Sequence, residues 1–191
     1  MFSPLAIMRW LNVVISLVLV GVAGYPAQSQ TKGAVPANVK FELTSPAFTS
    51  GSEIPRQYTC EGPDESPELK WSDPPAGTVA FAVVMHDPAA PVGDWTHWVI
   101  WNIPSSSHGL AANIPREEQL ADGTRQGRNS FANIGYNGPC PPPGNPHHYF
   151  FRVYALNRKL DLPAGATRGY FSSVLKGHVL AEEEYMGTYR R

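Results

Sequence analysis

Charge of either sign is scarce in this chain. Only 16% of its 191 residues are Asp, Glu, Lys or Arg, and 15 basic side chains nearly balance 16 acidic ones, for a formal net charge of -1. There is no basic block and no interleaving of lysine with aromatics, so the long-range field that draws a protein to nucleic acid is missing. Nucleic acid is excluded as a partner. Cysteine is scarcer still: Cys60 and Cys140 are the only two, and no Cys/His spacing completes a tetrahedral zinc set. Internal repeats and domain linkers are absent, so the chain reads as one domain with one core. No apolar run reaches the ~20 residues of a membrane-spanning helix.

The longest such run, residues 10–24, follows a single basic residue, Arg9, and precedes small residues at Ala27 and Ser29. This is the pattern of a secretory signal cleaved near Ser29, with an uncleaved anchor as the alternative reading. No cysteine follows the run and no twin arginine precedes it. The expected organisation is a signal peptide at 1–29, a flexible lead-in at 30–38 and one domain over 39–191. A periplasmic or secreted location follows, with no stable membrane anchor after cleavage. In an oxidising compartment Cys60 and Cys140, both in Gly/Pro-rich turns, are expected to form a disulfide. Two separate reduced thiols are the alternative.

Proline (19) and glycine (17) are abundant, which suits many ordered turns between short strands and a mainly β fold. Phe41 and Leu43 alternate with polar neighbours after Val39, and residues 68–71 read as a short strand. The apolar run at 79–85 predicts a central strand covered on both faces. Residues 95–103 and 149–156 are further strands. Segment 105–127 reads as a polar excursion with a short helical turn. Residues 172–185, with Leu175, Val179 and Met186 near helical spacing, predict one amphipathic helix despite Gly177.

Two stretches hold the chemistry: HDPAAP at 86–91 leading into WTHW at 95–98, and GYNGPCPPPG at 135–144 leading into HHY at 147–149. Strand alternation places His97 with Val99, Trp101 and Ile103, and His147 with Tyr149, Phe151 and Val153. Asp87 ends the central strand before Pro88 and can orient a neighbouring imidazole. Such a cluster can hold a phosphate-like group between imidazolium and backbone N–H donors. Taken singly, Asp87 is a turn former, His97 a core histidine and Tyr149 a strand aromatic. His148 falls on the opposite face from His147, and His86 has no evident role.

At these residues the chain resembles a family. HDPAAP with WTHWVIWNIP, and then GRNSFANIGYNGPCPPPGNPHHYFFRVYAL, are similar to the phosphatidylethanolamine-binding proteins, particularly the bacterial Raf-kinase-inhibitor-like (YbhB/YbcL-type) branch. CEGPDESPELKW and GHVLAEEEYMGTY extend the resemblance over roughly residues 41–189. It implies a β-sandwich with a large central antiparallel sheet, a proline-rich pocket loop and a C-terminal α-helix. It also implies a ligand-binding set of Asp87, His97, Pro142, His147 and Tyr149, with Pro141 or Pro143 as alternatives to Pro142. Two departures stand out. Ala89 replaces the second aspartate of a DPDAP pattern, and Tyr185 is only an uncertain match to a helix tyrosine of some members.

The resulting expectation is an exported, non-enzymatic protein without a cofactor, binding phosphate, phosphorylethanolamine or a related small anion. One alternative is a secreted protease- or kinase-type inhibitor acting through its surface, with segment 105–127 as the candidate face. Another is a metal-dependent hydrolase using Asp87, His97 and His147 as ligands.

Overall fold

The computed structural model describes residues 40–191. The expected signal segment, the lead-in and Val39 lie outside the described residues. Two antiparallel sheets form. The smaller contains β1 (Leu43–Thr44), β2 (Leu69–Trp71) and β5 (Gly109–Leu110) in the order β1-β2-β5. The larger runs β6-β4-β3-β7-β8, from β3 (Ala80–Asp87), β4 (Trp95–Pro104), β6 (Arg125–Gln126), β7 (His147–Leu156) and β8 (Val179–Tyr189).

β3 is the middle strand and every one of its residues is buried, as its unbroken apolar run requires when both faces are covered. On one face Phe81, Val83 and Met85 meet Trp98, Ile100, Phe151 and Val153, and the small sheet closes this core with Leu43, Leu69 and Trp71, joined by Phe41 just before β1. The Trp71 and Phe81 rings lie 5.1 Å apart across the sandwich. On the other face Ala82, Val84, Val99 and Trp101 pack under Leu160, Leu162 and Phe171, the last from the helix α1 (Arg168–Leu175).

Two expectations are corrected here. Segment 105–127 contains no helical turn; its ends are recruited as β5 and β6, one to each sheet. Residues 172–185 are not one helix. α1 stops at Leu175, Gly177 adopts φ +79, and the chain returns as β8 along β7. Glycine takes that left-handed conformation without a Cβ penalty, which makes it a natural helix stop. Beyond it Tyr185, Gly187 and Tyr189 turn inward at period two. The acids at 182–184 are strand residues, and Glu184 pairs with Arg152 of β7.

Candidate functional site

β4 carries two irregularities that re-aim its side chains. Between the pairs Phe81↔Ile103 and Ala82↔Trp101 the extra residue is Asn102, and between Met85↔Trp98 and His86↔Thr96 it is His97. Asn102 takes φ +59, and its amide donates to the Leu160 carbonyl (3.0 Å) and accepts from the Leu160 N–H (2.8 Å). Simple alternation therefore fails along this strand. Val99 and Trp101 face the helix side, whereas Ile103 faces the other core. His97 does not share their row; as the unpaired residue of a bulge it reaches the Tyr149 side. Bulges commonly re-aim a side chain in this way.

The five residues expected at the site come together. Asp87, His97, Pro142, His147 and Tyr149 all line one cavity of about 200 Å³. Pro141 lines it too, and Pro143 does not. Asp87, 3% exposed, ends β3 on the same face as His147 and Tyr149. One of its carboxylate oxygens accepts from His147 Nδ1 at 2.6 Å, and the other accepts the Ala89 backbone N–H at 2.9 Å. That second bond is made by backbone, so the turn closes without an acid at position 89.

His97 donates from Nδ1 to the Asn137 carbonyl at 2.7 Å. Its ring stands edge-on to Tyr149 (5.2 Å between centroids) and to Phe131 (5.4 Å). Burial holds its pKa below the ordinary histidine value of 6.5, against the opposing pull of the Asn137 carbonyl and the Asp87 charge. Burial, and then the nearby Asp87 charge, raise the Tyr149 phenol well above its usual value of 10, so it remains a hydrogen-bond donor at neutral pH.

The rest of the lining escaped sequence reasoning. Trp95 and Phe131 meet edge to face at 5.3 Å, and Pro91 and Val92 also line the cavity. Asn129 builds the loop that presents Phe131. Its amide donates to Gly135 O (2.9 Å) and Asn137 Oδ1 (2.8 Å), while its oxygen accepts the N–H groups of Phe131 (2.9 Å) and Asn133 (3.1 Å). Asp64, held by Arg116 at 2.6 Å, accepts from Asn137 Nδ2 and from the Gly138 N–H. Thus the carbonyl that orients His97 is itself anchored from two sides. The density of Asn and Gly over 129–138 was the available signal, since these residues build hydrogen-bonded turns.

The Cys60–Cys140 disulfide forms, with Cα atoms 5.4 Å apart. Cys140 also lines the cavity, so the bond fixes one end of the proline loop. His148 is exposed, as its opposite parity implies. Tyr185 is a core residue against Phe48, and its hydroxyl donates to the Phe48 carbonyl. Among the described residues no three His, Cys, Asp or Glu side chains group as metal ligands. Asp87, His97 and His147 share a cavity without grouping as such a set. The large exposed apolar side chains include none in 105–127; Val92 and Phe131 instead stand at the cavity mouth.

A family profile described as phosphatidylethanolamine-binding protein matches residues 44–190, the span that builds both sheets and the cavity. The chain belongs to the phosphatidylethanolamine-binding protein family. Similar relatives include a UPF0098 protein of Methanothermobacter thermautotrophicus, 46% identical, with 79% of this chain and 99% of that protein covered. A UPF0098 protein of Aquifex aeolicus is 44% identical over 79% of this chain and 89% of its own length. Among solved structures, Escherichia coli YbcL, described as a new member of the mammalian PEBP family, superposes with a TM-score of 0.74. It is 35% identical to this chain, covering 79% of it and 98% of the YbcL chain. Family membership accounts for the two-sheet fold.

Proposed function

We propose that this phosphatidylethanolamine-binding protein family member is an exported, non-enzymatic binding protein whose cavity takes a phosphate-type anion or a phosphorylated head group. The observation that supports this most is the convergence of His97, His147 and Tyr149 on one small cavity, with both imidazoles oriented through Nδ1. Orientation of that kind leaves each Nε2 for a ligand and spares the ordering cost on binding. The apolar walls, Trp95, Phe131 and the prolines, strengthen whatever polar contacts form by excluding water. Among the described residues lining the cavity, no serine or free cysteine stands beside a base, which favours capture over turnover.

Isothermal titration calorimetry with phosphate and phosphorylethanolamine tests the reading. Binding is expected for the parent protein, with at least a tenfold loss on replacing both His97 and His147 by alanine, in a variant shown by circular dichroism to be folded. Unchanged affinity in that variant would sink the proposal. Export is tested separately, by the N-terminal sequence of the protein recovered outside the cytoplasm.

A further inference from the structure

We propose that His97 acts as a hydrogen-bond acceptor toward the ligand, so that the cavity selects oxyanions that keep an acidic O–H over anions that have none. Singly ionised phosphate monoesters are the class that fits. Phosphodiesters, including the head group of an intact phospholipid, and sulfate esters are the classes rejected. The inference deepens the anion-binding reading above and rests on it.

The ring's placement carries the argument. A backbone carbonyl can only accept, so the 2.7 Å contact from His97 to Asn137 puts a hydrogen on Nδ1. The ring is 3% exposed and wedged edge-on between Phe131 and Tyr149. A second proton would charge an imidazole in that slot, and burial disfavours the charged form. A neutral ring with its hydrogen on Nδ1 offers a lone pair at Nε2. The groups around it are Asp87 from the end of β3, His147 and Tyr149 from β7, and Asp64 behind Asn137, itself paired with Arg116.

Charge points the same way. Among the described residues lining the cavity there is no lysine or arginine, and Asp87 is present. A dianion would meet a carboxylate and no permanent cation. A monoanion bearing one O–H can donate to His97 Nε2 while its other oxygens accept from Tyr149, whose phenol stays protonated. Buried acceptors discriminate strongly against analogues lacking the matching hydrogen, because the acceptor is then left unpaired.

Methyl phosphate, methyl sulfate and dimethyl phosphate separate the possibilities. All three are small enough for the cavity, and the last two carry one negative charge and no acidic O–H. A phosphate monoester loses its second proton near pH 6, so calorimetric titrations at pH 6 and pH 8 compare a ligand about half monoanion with one almost wholly dianion. The expected result at pH 6 is methyl phosphate binding at least fivefold tighter than either of the others, with the preference falling away at pH 8. The ratio is the readout, since titration of the protein's own groups affects every probe. A gap below fivefold at pH 6, as an imidazolium donating to all three would produce, overturns the proposal, as does a preference that persists or grows at pH 8. Binding of none of the three overturns the anion-binding reading itself.

Discussion

His86 and Asp87 are consecutive, yet they found two different structures on opposite faces of the same sheet. Each belongs to a histidine–aspartate pair at 2.6 Å: Asp87 with His147, and His86 with Asp94. Around the first pair the chain leaves a cavity walled by aromatics and prolines. The second pair does not line it. His86 packs against Phe150, and Asp94, with its side chain 47% exposed, also binds Arg168 of α1 at 2.6 Å. Burial lowers the His86 pKa, with Arg168 adding to the effect and the Asp94 hydrogen bond opposing it. For Asp94 burial acts upward, but His86 and Arg168 together prevail and hold it below its usual value of 3.8. The comparison teaches that a histidine–carboxylate pair does not make a site. What matters is the space left beside it.

The largest expected effect comes from opening the side of the molecule that holds the cavity. Reduction of Cys60–Cys140, or its replacement by two serines, releases a closure spanning 80 residues and should cost about 4 kcal/mol by the loop-entropy account. Urea unfolding with and without reductant measures this. Hydrogen exchange should then quicken around 135–147 while the His86 side keeps its protection; equal quickening on both sides would remove the distinction.

Asn129→Ala is next, at about 2–3 kcal/mol, because a side chain only 5% exposed supports five hydrogen bonds whose partners would be stranded. Ligand affinity should fall as well, since Asn137 and hence His97 lose their support. A variant that loses stability but binds normally would show that the loop and the cavity are independent.

Acid should distinguish the two histidines. Both His86 and His97 have folded pKa values below 6.5, so the unfolded chain takes up protons that the native state resists. Their contribution to stability is complete above pH 6.5 and is lost as pH falls through the lower folded values. Denaturant unfolding between pH 7.5 and 5 should show this slope. His97→Gln should flatten it more than His86→Gln, because His97 has no salt-bridged carboxylate to share its proton. Equal flattening by the two variants would contradict that reading.

The smallest effect belongs to Asp94→Ala. Its carboxylate is 47% exposed in its pairs with His86 and Arg168, so they are worth about 1 kcal/mol after solvent screening. Ligand affinity should be unchanged within twofold. A tenfold loss would mean that the loop it closes, residues 88–94, governs the cavity from outside.

Much of the fold was legible because it rests on local pattern. The unbroken apolar run around 80–85 demanded a central strand, and the alternation at Phe41 and Leu43 demanded a half-buried one. Residues 172–185 misled because Leu175, Val179 and Met186 fit a helical period by accident. Pairing with β7 outweighed that weak preference, and Gly177 supplied the turn. The cavity shows the same mixture. His147 and Tyr149 followed from regular alternation, and Asp87 from its place at the end of the central strand. His97 arrived on the expected side for a different reason, a bulge that sequence periodicity does not reveal. Phe131 and Trp95 were not anticipated, because a loop wall has no period to read.

By itself the sequence determined the central strands, the absence of a charged field and the residue types able to contact a small polar ligand, since these depend on side-chain chemistry and spacing along the chain. The tertiary structure decided which of two adjacent residues faces a cavity, which imidazole nitrogen is already engaged and which paired acid is left in solvent. Those outcomes depend on register, bulges and loops from distant parts of the chain, and only the packed sheet brings them together.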